Sequence, residues 1–395
     1  MGNEKENVVL ISFFKSENIG DIELSKELLK IVEKKHEVKS IYDFSTLNKI
    51  IIKDENKTTN ETMNDYGFKR WLKNIILLTL GRKNYRWLTY HRIVKKNILM
   101  GLFKEIEYCQ RVIIGGGNML MDRDKTWPLR MKKIIDHCYK NKIKVDIVYV
   151  GAGPILYPST ERIYKEIFDK IETLMVRDYR SKSLLMPYVE SKKIHIDYDP
   201  ALFYNQEKYK TRLKSIESKK NITLGINVIG EECFPSQLAN DKYLRNMYEL
   251  INCIDEDSVE QIILFSTAEK DYININKLIS NISNSKVTIY NIKDYDDIVE
   301  LYSKLSFLVG GRMHSLIFAQ SMFLPYIALA WDNKVYGYLE MLDNDFSVIS
   351  IEAVSDHFNY IKSSMLDNSN NTLIIEKMNH RNLLIKQSRE RWIYK

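Results

Sequence analysis

Short, almost uninterrupted apolar runs alternate along this chain with longer segments whose apolar residues recur every three or four positions. The first run, Val8 to Phe14, leads through the turn-rich stretch Lys15 to Asp21. A segment from about Ile22 to Lys35 follows, with Leu24, Leu28, Ile31 and Val32 on one face. With the next run, Val38 to Tyr42, this predicts a βαβ unit, the opening of a parallel sheet covered by helices. The pattern resumes with strands over Gln110–Ile114, Lys144–Val150 and Leu174–Val176, a helix around Ser181–Met186, and a short strand in Ile194–Leu202 that leaves Asp199 before a proline. The charged, irregular stretch Lys208 to Lys220 reads as a linker. A second α/β unit then begins at Ile222–Val228. It continues through helix Tyr243–Ile254, strand Gln261–Phe265, helix Tyr272–Ile282, strand Lys286–Tyr290, helix Ile298–Lys304 and strand Phe307–Val309. Helix Leu316–Met322 and strand Leu324–Ala330 complete it, and the last forty residues read as helical and charged.

The expected fold class is therefore α/β, with two doubly wound parallel-sheet domains facing a central cleft. Residues 1–207 form the first, 221–350 the second, and 351–395 are a helical segment returning toward the first. A chain of 395 residues is long for a single core, which agrees with two. Interrupting the first domain is an insertion, residues 53–105. Its first part is polar, and between Phe68 and Lys96 it holds Lys, Arg, Trp71, Tyr85, Trp87 and Tyr90 but no acid. Residues 68–96 fit two readings: an amphipathic segment on an anionic membrane face, or a helical hairpin with a solvated basic side.

Composition adds mainly exclusions. The chain is 45% hydrophobic and 28% charged, ordinary for a globular protein, and its net charge of +7 suits anionic partners without a nucleic-acid signature. Cys109, Cys138, Cys233 and Cys253 lack CxxC spacing, and none of the seven histidines has metal-ligand spacing, so reduced thiols and no metal are expected. The amino terminus places acids before a short apolar run, which is a first strand and not a signal peptide. No apolar run is long enough to span a bilayer, so the expected location is cytoplasmic, at most at the inner face of the plasma membrane.

Candidate chemistry lies where strands end. In open parallel sheets ligands bind beyond the carboxyl ends of the strands. Every unusual stretch here falls at such an end: Asn18-Ile-Gly-Asp21, Gly115-Gly-Gly-Asn118, Gly151 to Pro154, Arg177-Asp178, Asp199 and Gly310 to Ser315. The Gly116–Gly117 pair lacks the full dinucleotide spacing; it fits a tight turn, with Asn118 adding a donor and an acceptor. The densest stretch is Leu308-Val-Gly-Gly-Arg-Met-His-Ser-Leu316. It reads as a strand, a tight turn and a helix start that places Arg312 and His314 beside backbone N–H groups without helical partners. A guanidinium there clamps carboxylate or phosphate, and an imidazole moves a proton near neutral pH.

Taken in order, Asn18-Ile-Gly-Asp21, the run ending Gly-Gly-Gly-Asn-Met-Leu120, Gly151-Ala-Gly-Pro154, Val176-Arg-Asp178, Asp199-Pro-Ala-Leu202, Gly311-Arg-Met-His-Ser315 and Asp332-Asn-Lys-Val335 resemble the polysaccharide pyruvyl transferase family. The resemblance implies a fold like the GT-B glycosyltransferases. It also implies transfer of a pyruvyl group from phosphoenolpyruvate to two hydroxyls of a sugar or lipid-linked glycan as a cyclic ketal, with no further cofactor. By the same resemblance His314 is the general acid. Arg312 and Arg177 hold the donor, and Asn18 and Asp21 form the cleft on the acceptor side, with Asp21 the candidate to assist a sugar hydroxyl. Gly116, Gly117, Asn118, Ser315 and Lys334 complete the expected substrate-binding set. Two competing readings are a GT-B glycosyltransferase using a nucleotide sugar, with Glu300 or Asp296 gripping the ribose, and a non-catalytic membrane-associated scaffold for polysaccharide assembly.

Overall fold

The computed structural model describes residues 5–51, 98–203, 222–342 and 348–394. The basic segment 68–96, nearly all of the insertion 53–105 and the linker 208–220 lie outside them.

The first sheet has seven strands: β1 (Asn7–Ser12), β2 (Glu37–Asp43), β3 (Lys49–Ile50), β4 (Arg111–Gly115), β5 (Lys144–Val150), β6 (Thr173–Val176) and β7 (Ile194–Ile196). Their order is β3-β2-β1-β4-β5-β6-β7, so it reverses between β1 and β4. The pairs β1–β2, β1–β4 and β4–β5 are parallel, and the two-residue β3 is an antiparallel edge on β2. Parallel strands buried on both faces need continuous apolar runs, and Val8–Ile11 and Val112–Ile114 are buried to 1% exposure or less. The helices of this part are α1 (Ile19–Lys35), α2 (Ile98–Glu107), α3 (Thr126–Lys140), α4 (Pro158–Phe168) and α5 (Tyr179–Leu185).

The second sheet is formed by β8 (Ile222–Asn227), β9 (Val259–Phe265), β10 (Val287–Ile289), β11 (Phe307–Gly310), β12 (Tyr326–Ala330) and β13 (Val348–Ser350). All five adjacent pairs are parallel, in the order β10-β9-β8-β11-β12-β13. This is the doubly wound order, and its switch point lies between β8 and β11. The accompanying helices are α6 (Gln237–Asn252), α7 (Tyr272–Ile279), α8 (Tyr295–Lys304), α9 (Met313–Ser321), α10 (Asn333–Met341), α11 (Phe358–Leu366) and α12 (Asn368–Tyr394).

Differences from the sequence reading have local causes. Helix α6 starts earlier than Tyr243 because Ser236 Oγ accepts the Ala239 N–H and caps it. Helix α1 begins at Ile19, because Asn18 Oδ1 accepts the Gly20 N–H. Helices α3 and α4 were not expected at all. Their buried faces, Met131, Ile134, Ile135 and Cys138 in α3 and Tyr164, Ile167 and Phe168 in α4, are interleaved with Lys and Glu.

Contacts divide the chain into two compact units. One holds residues 1–15, 32–175 and 184–195, and the other 16–31, 176–183 and 196–395. The second unit therefore takes in the Asn18 loop and Arg177 as well as the whole second sheet. Its helix α9 is buried at every residue, which marks it as a central element and not a surface one. Gln320 of α9 donates to the Met378 carbonyl and to Asn382 of α12, so α12 braces the helix that carries the key motif.

Candidate functional site

The site is built at the carboxyl end of β11, at the switch point of the second sheet. After Gly310 the chain must turn at once into α9, and Gly311 passes where a Cβ would come 2.9 Å from Ile229. Arg312 then occupies the cap position of α9 without capping it, while its own N–H donates to Asn227 Oδ1 at the end of β8 (2.9 Å). The first turn of α9 thus presents its backbone N–H groups with no side-chain cap, as an anion site requires.

His314 follows in that turn and is 4% exposed. A second helix start meets it. A Cβ on Gly20, in the first turn of α1, would lie 2.1 Å from His314 Cγ, so only glycine lets the two elements touch. Asn18 favours one tautomer of the imidazole. Its Oδ1 accepts the Gly20 N–H (3.0 Å), which turns its Nδ2 toward His314 Nδ1 at 3.5 Å. Nδ1 is then an acceptor, and the proton of the neutral ring sits on Nε2. Among the described residues Nε2 is buried and has no partner. Asp21 Oδ1 lies 3.9 Å from Nδ1, too far for a hydrogen bond but close enough to stabilise a charged ring.

Cations surround this pair. Burial pushes the His314 imidazole down to about 4; Asp199 pulls the other way, and Arg177, Lys334 and Arg312 push with burial. Burial likewise raises the Asp21 carboxyl, against the attraction of Arg177, Lys334 and Arg312. Lys334, held below the usual lysine range by burial, stands 4.5 Å above the Trp331 ring just inside α10, which Asp332 caps. At pH 7 the unliganded site is therefore a neutral histidine among positive groups, poised for an anion.

Both arginines are anchored by carboxylates. Arg177 Nη1 donates to Asp199 Oδ2 (2.9 Å) with both side chains at most 4% exposed, and its Nε is buried without a partner among the described residues. Arg312 grips Asp271 with Nε (2.8 Å) and Nη2, and Nη2 also reaches Glu232 Oε1 at 2.7 Å. Asp271 and Glu232 were not found by sequence reasoning. They follow β9 and β8, so the rule that chemistry collects at strand carboxyl ends would have flagged them had it been applied to acids as well as to glycines and cations.

The expected residues Asn18, Asp21, Arg177, Arg312, His314 and Lys334 are thus brought together in one unit. Ser315 is fully buried, its hydroxyl 2.6 Å from Tyr302 OH, and serves to fix α9 against α8. Gly116, Gly117 and Asn118 lie in the other unit. The two glycines take φ of 81° and 68°, a left-handed conformation that suits glycine, and Asn118 Nδ2 donates to the Gly153 carbonyl (2.7 Å). There they knit two βα turns together. The ribose candidates of the nucleotide-sugar reading face elsewhere: Glu300 pairs with Lys304 along α8, and Asp296 is exposed in its first turn.

Gly20→Ala is expected to displace His314 or the start of α1. Ring and helix are both packed, so the rate should fall about a hundredfold with a stability loss of about 1–3 kcal/mol. Steady-state kinetics and denaturant unfolding of the variant check this.

Comparison with solved structures defines the class. Over 99% of both chains the protein resembles an α,α-trehalose-phosphate synthase (UDP-forming) from Burkholderia vietnamiensis, with a TM-score of 0.56 and 8% identity. An α-glucosyltransferase in complex with UDP and DNA gives 0.54 at 11% identity, over 99% of this chain and 100% of that one. A UDP-GlcNAc 2-epimerase from Methanocaldococcus jannaschii gives 0.51 at 14%, over 95% and 99%. The fold is that of the GT-B glycosyltransferases and epimerases, and at these identities the likeness is one of fold alone. No curated protein matches the chain. Residues 18–333 match the sequence model of the family described as polysaccharide pyruvyl transferase, a range that leaves out only β1 and β13 of the two sheets and includes every residue of the cluster except Lys334, one position beyond its end. The chain belongs to that transferase family.

Proposed function

We propose that the protein transfers the pyruvyl group of phosphoenolpyruvate to two hydroxyls of a sugar in a cell-surface or exopolysaccharide precursor, forming a cyclic ketal and releasing phosphate. The observation that carries this reading is the buried Nε2 of His314, without a partner among the described residues, beside Arg177, Arg312 and Lys334. Phosphoenolpyruvate has a carboxylate and a phosphate to meet such cations, and its methylene carbon needs a proton.

The chemistry balances with these groups. Binding of the anionic donor raises the imidazole's affinity for a proton, and the second proton settles on Nδ1 opposite Asp21. His314 Nε2 then protonates the methylene carbon, leaving positive charge on the adjacent carbon that bears the phosphate. One sugar hydroxyl adds there and gives up its proton, for which Asp21 is the acceptor. The second hydroxyl displaces phosphate, closes the ketal, and its proton leaves with the phosphate. Arg177, Arg312 and Lys334 hold the donor and the departing phosphate throughout. The acceptor comes to the enzyme on the cytoplasmic side, as a free or lipid-linked glycan. Among the described residues no helix is long and apolar enough to cross a membrane.

The competing reading takes its support from the UDP complexes of the fold relatives. Thermal unfolding separates the two. Phosphoenolpyruvate at a hundred times its dissociation constant is expected to add about 2.7 kcal/mol of stability, whereas UDP and UDP-sugars should add none. Stabilisation by UDP alone would favour sugar transfer.

A further inference from the structure

The guanidinium of Arg312 offers two faces for bidentate bonding, one along Nε and Nη2 and one across Nη1 and Nη2. Asp271 occupies the first with both its oxygens. This contact is permanent in character: Asp271 is fully buried at the foot of α7, and Ser266 Oγ also bonds to it. Access to the second face requires the remaining hydrogen of Nη2, and Glu232 Oε1 holds it at 2.7 Å.

Glu232 differs from Asp271 in every respect that governs displacement. Its side chain is 46% exposed, and it sits in a single turn, Glu231–Cys233, between β8 and α6. Gly230 lies between the two carboxylates, where a Cβ would come 2.5 Å from both Asp271 Oδ1 and Glu232 Oε2. The absent side chain lets two acids converge on one arginine. Burial and the neighbouring Glu232 raise the Asp271 carboxyl, a sign that the two acids already crowd one guanidinium, and a third anion cannot join them without strong repulsion.

We infer that Glu232 is a stand-in for the donor: its carboxylate covers the free face of Arg312 in the unliganded protein, and the donor's phosphate or carboxylate displaces it while Asp271 stays. Glu232 thereby sets donor affinity and the ease with which phosphate leaves. This rests on the reading of the same site as a phosphoenolpyruvate site.

The test is calorimetric titration of the full-length protein with phosphoenolpyruvate and, separately, with inorganic phosphate, on wild type, Glu232→Gln and Glu231→Gln. Glu231 is the control: it lies one residue away, is exposed and pairs with Lys277, so its substitution removes the same charge without touching Arg312. Glu232→Gln is expected to bind both anions about fivefold more tightly, the equivalent of about 1 kcal/mol, and to show a lower KM for phosphoenolpyruvate and stronger inhibition by phosphate. Glu231→Gln should bind both as wild type does. Unchanged or weaker binding by Glu232→Gln, with wild type binding normally, overturns the inference and leaves the donor assignment standing. Equal tightening in both variants also overturns it, since the effect is then one of overall charge. If wild type binds no phosphoenolpyruvate, the donor assignment fails and this inference with it.

Discussion

His314→Ala is expected to slow ketal formation by about a thousandfold while phosphoenolpyruvate affinity changes no more than about fivefold. The imidazole supplies a proton, whereas the charges that hold the donor come from Arg177, Arg312 and Lys334. A His314→Gln variant should behave alike, because it restores hydrogen bonding without restoring a transferable proton. The pH dependence follows from the ring's surroundings. Without donor its ionisation lies near pH 4, so at pH 7 it is neutral. An anionic donor raises that value. Between about 4 and the raised value, binding must then take up a proton, and donor affinity must weaken as pH rises. Calorimetry in buffers of different ionisation heat reads the uptake directly, and it should vanish in His314→Ala. A variant that keeps its rate would remove His314 from the mechanism.

Arg177→Met is expected to lose activity and also about 3–5 kcal/mol of stability, because it strands the Asp199 carboxylate in a buried site. The two losses can be separated. Asp199 Oδ1 also accepts the Ala201 N–H (3.0 Å), a bond that asparagine can keep. The double variant Arg177→Met with Asp199→Asn should therefore regain most of the stability and none of the activity. Denaturant unfolding and a phosphate-release assay on the two proteins give the answer. Recovery of activity with stability would make Arg177 a structural residue only.

How far these features were legible in the sequence depended on range. Strands such as Val8–Ile11 and Phe307–Val309 declare themselves because a parallel strand covered on both faces must be apolar throughout, and Gly310 and Gly311 mark the turn that follows the second of them. The Arg312–His314 pair was visible because both residues lie within one turn of one helix start. Gly20 misled for the opposite reason. It belongs to the turn-rich stretch Lys15 to Asp21, so α1 was expected to start at about Ile22, and only the His314 ring explains why a side chain is excluded there. Asp271 and Glu232 reach Arg312 from 41 and 80 residues away, and no local pattern encodes such pairings. The same holds for the contact between Asn18 and His314, 296 residues apart, which favours the tautomer that the proposed chemistry uses.

The central claim is pyruvyl transfer from phosphoenolpyruvate, and the most direct measurement follows the donor's carbon. Purified protein is incubated with ¹³C-labelled phosphoenolpyruvate and a glycan precursor extracted from the source cells, and the product is examined by carbon NMR with phosphate measured in parallel. The expected result is label in a quaternary carbon bonded to two sugar oxygens, with an equal amount of phosphate released and neither formed by His314→Ala. Phosphate release without that ketal carbon, or sugar transfer from a UDP-sugar in its place, would contradict the account.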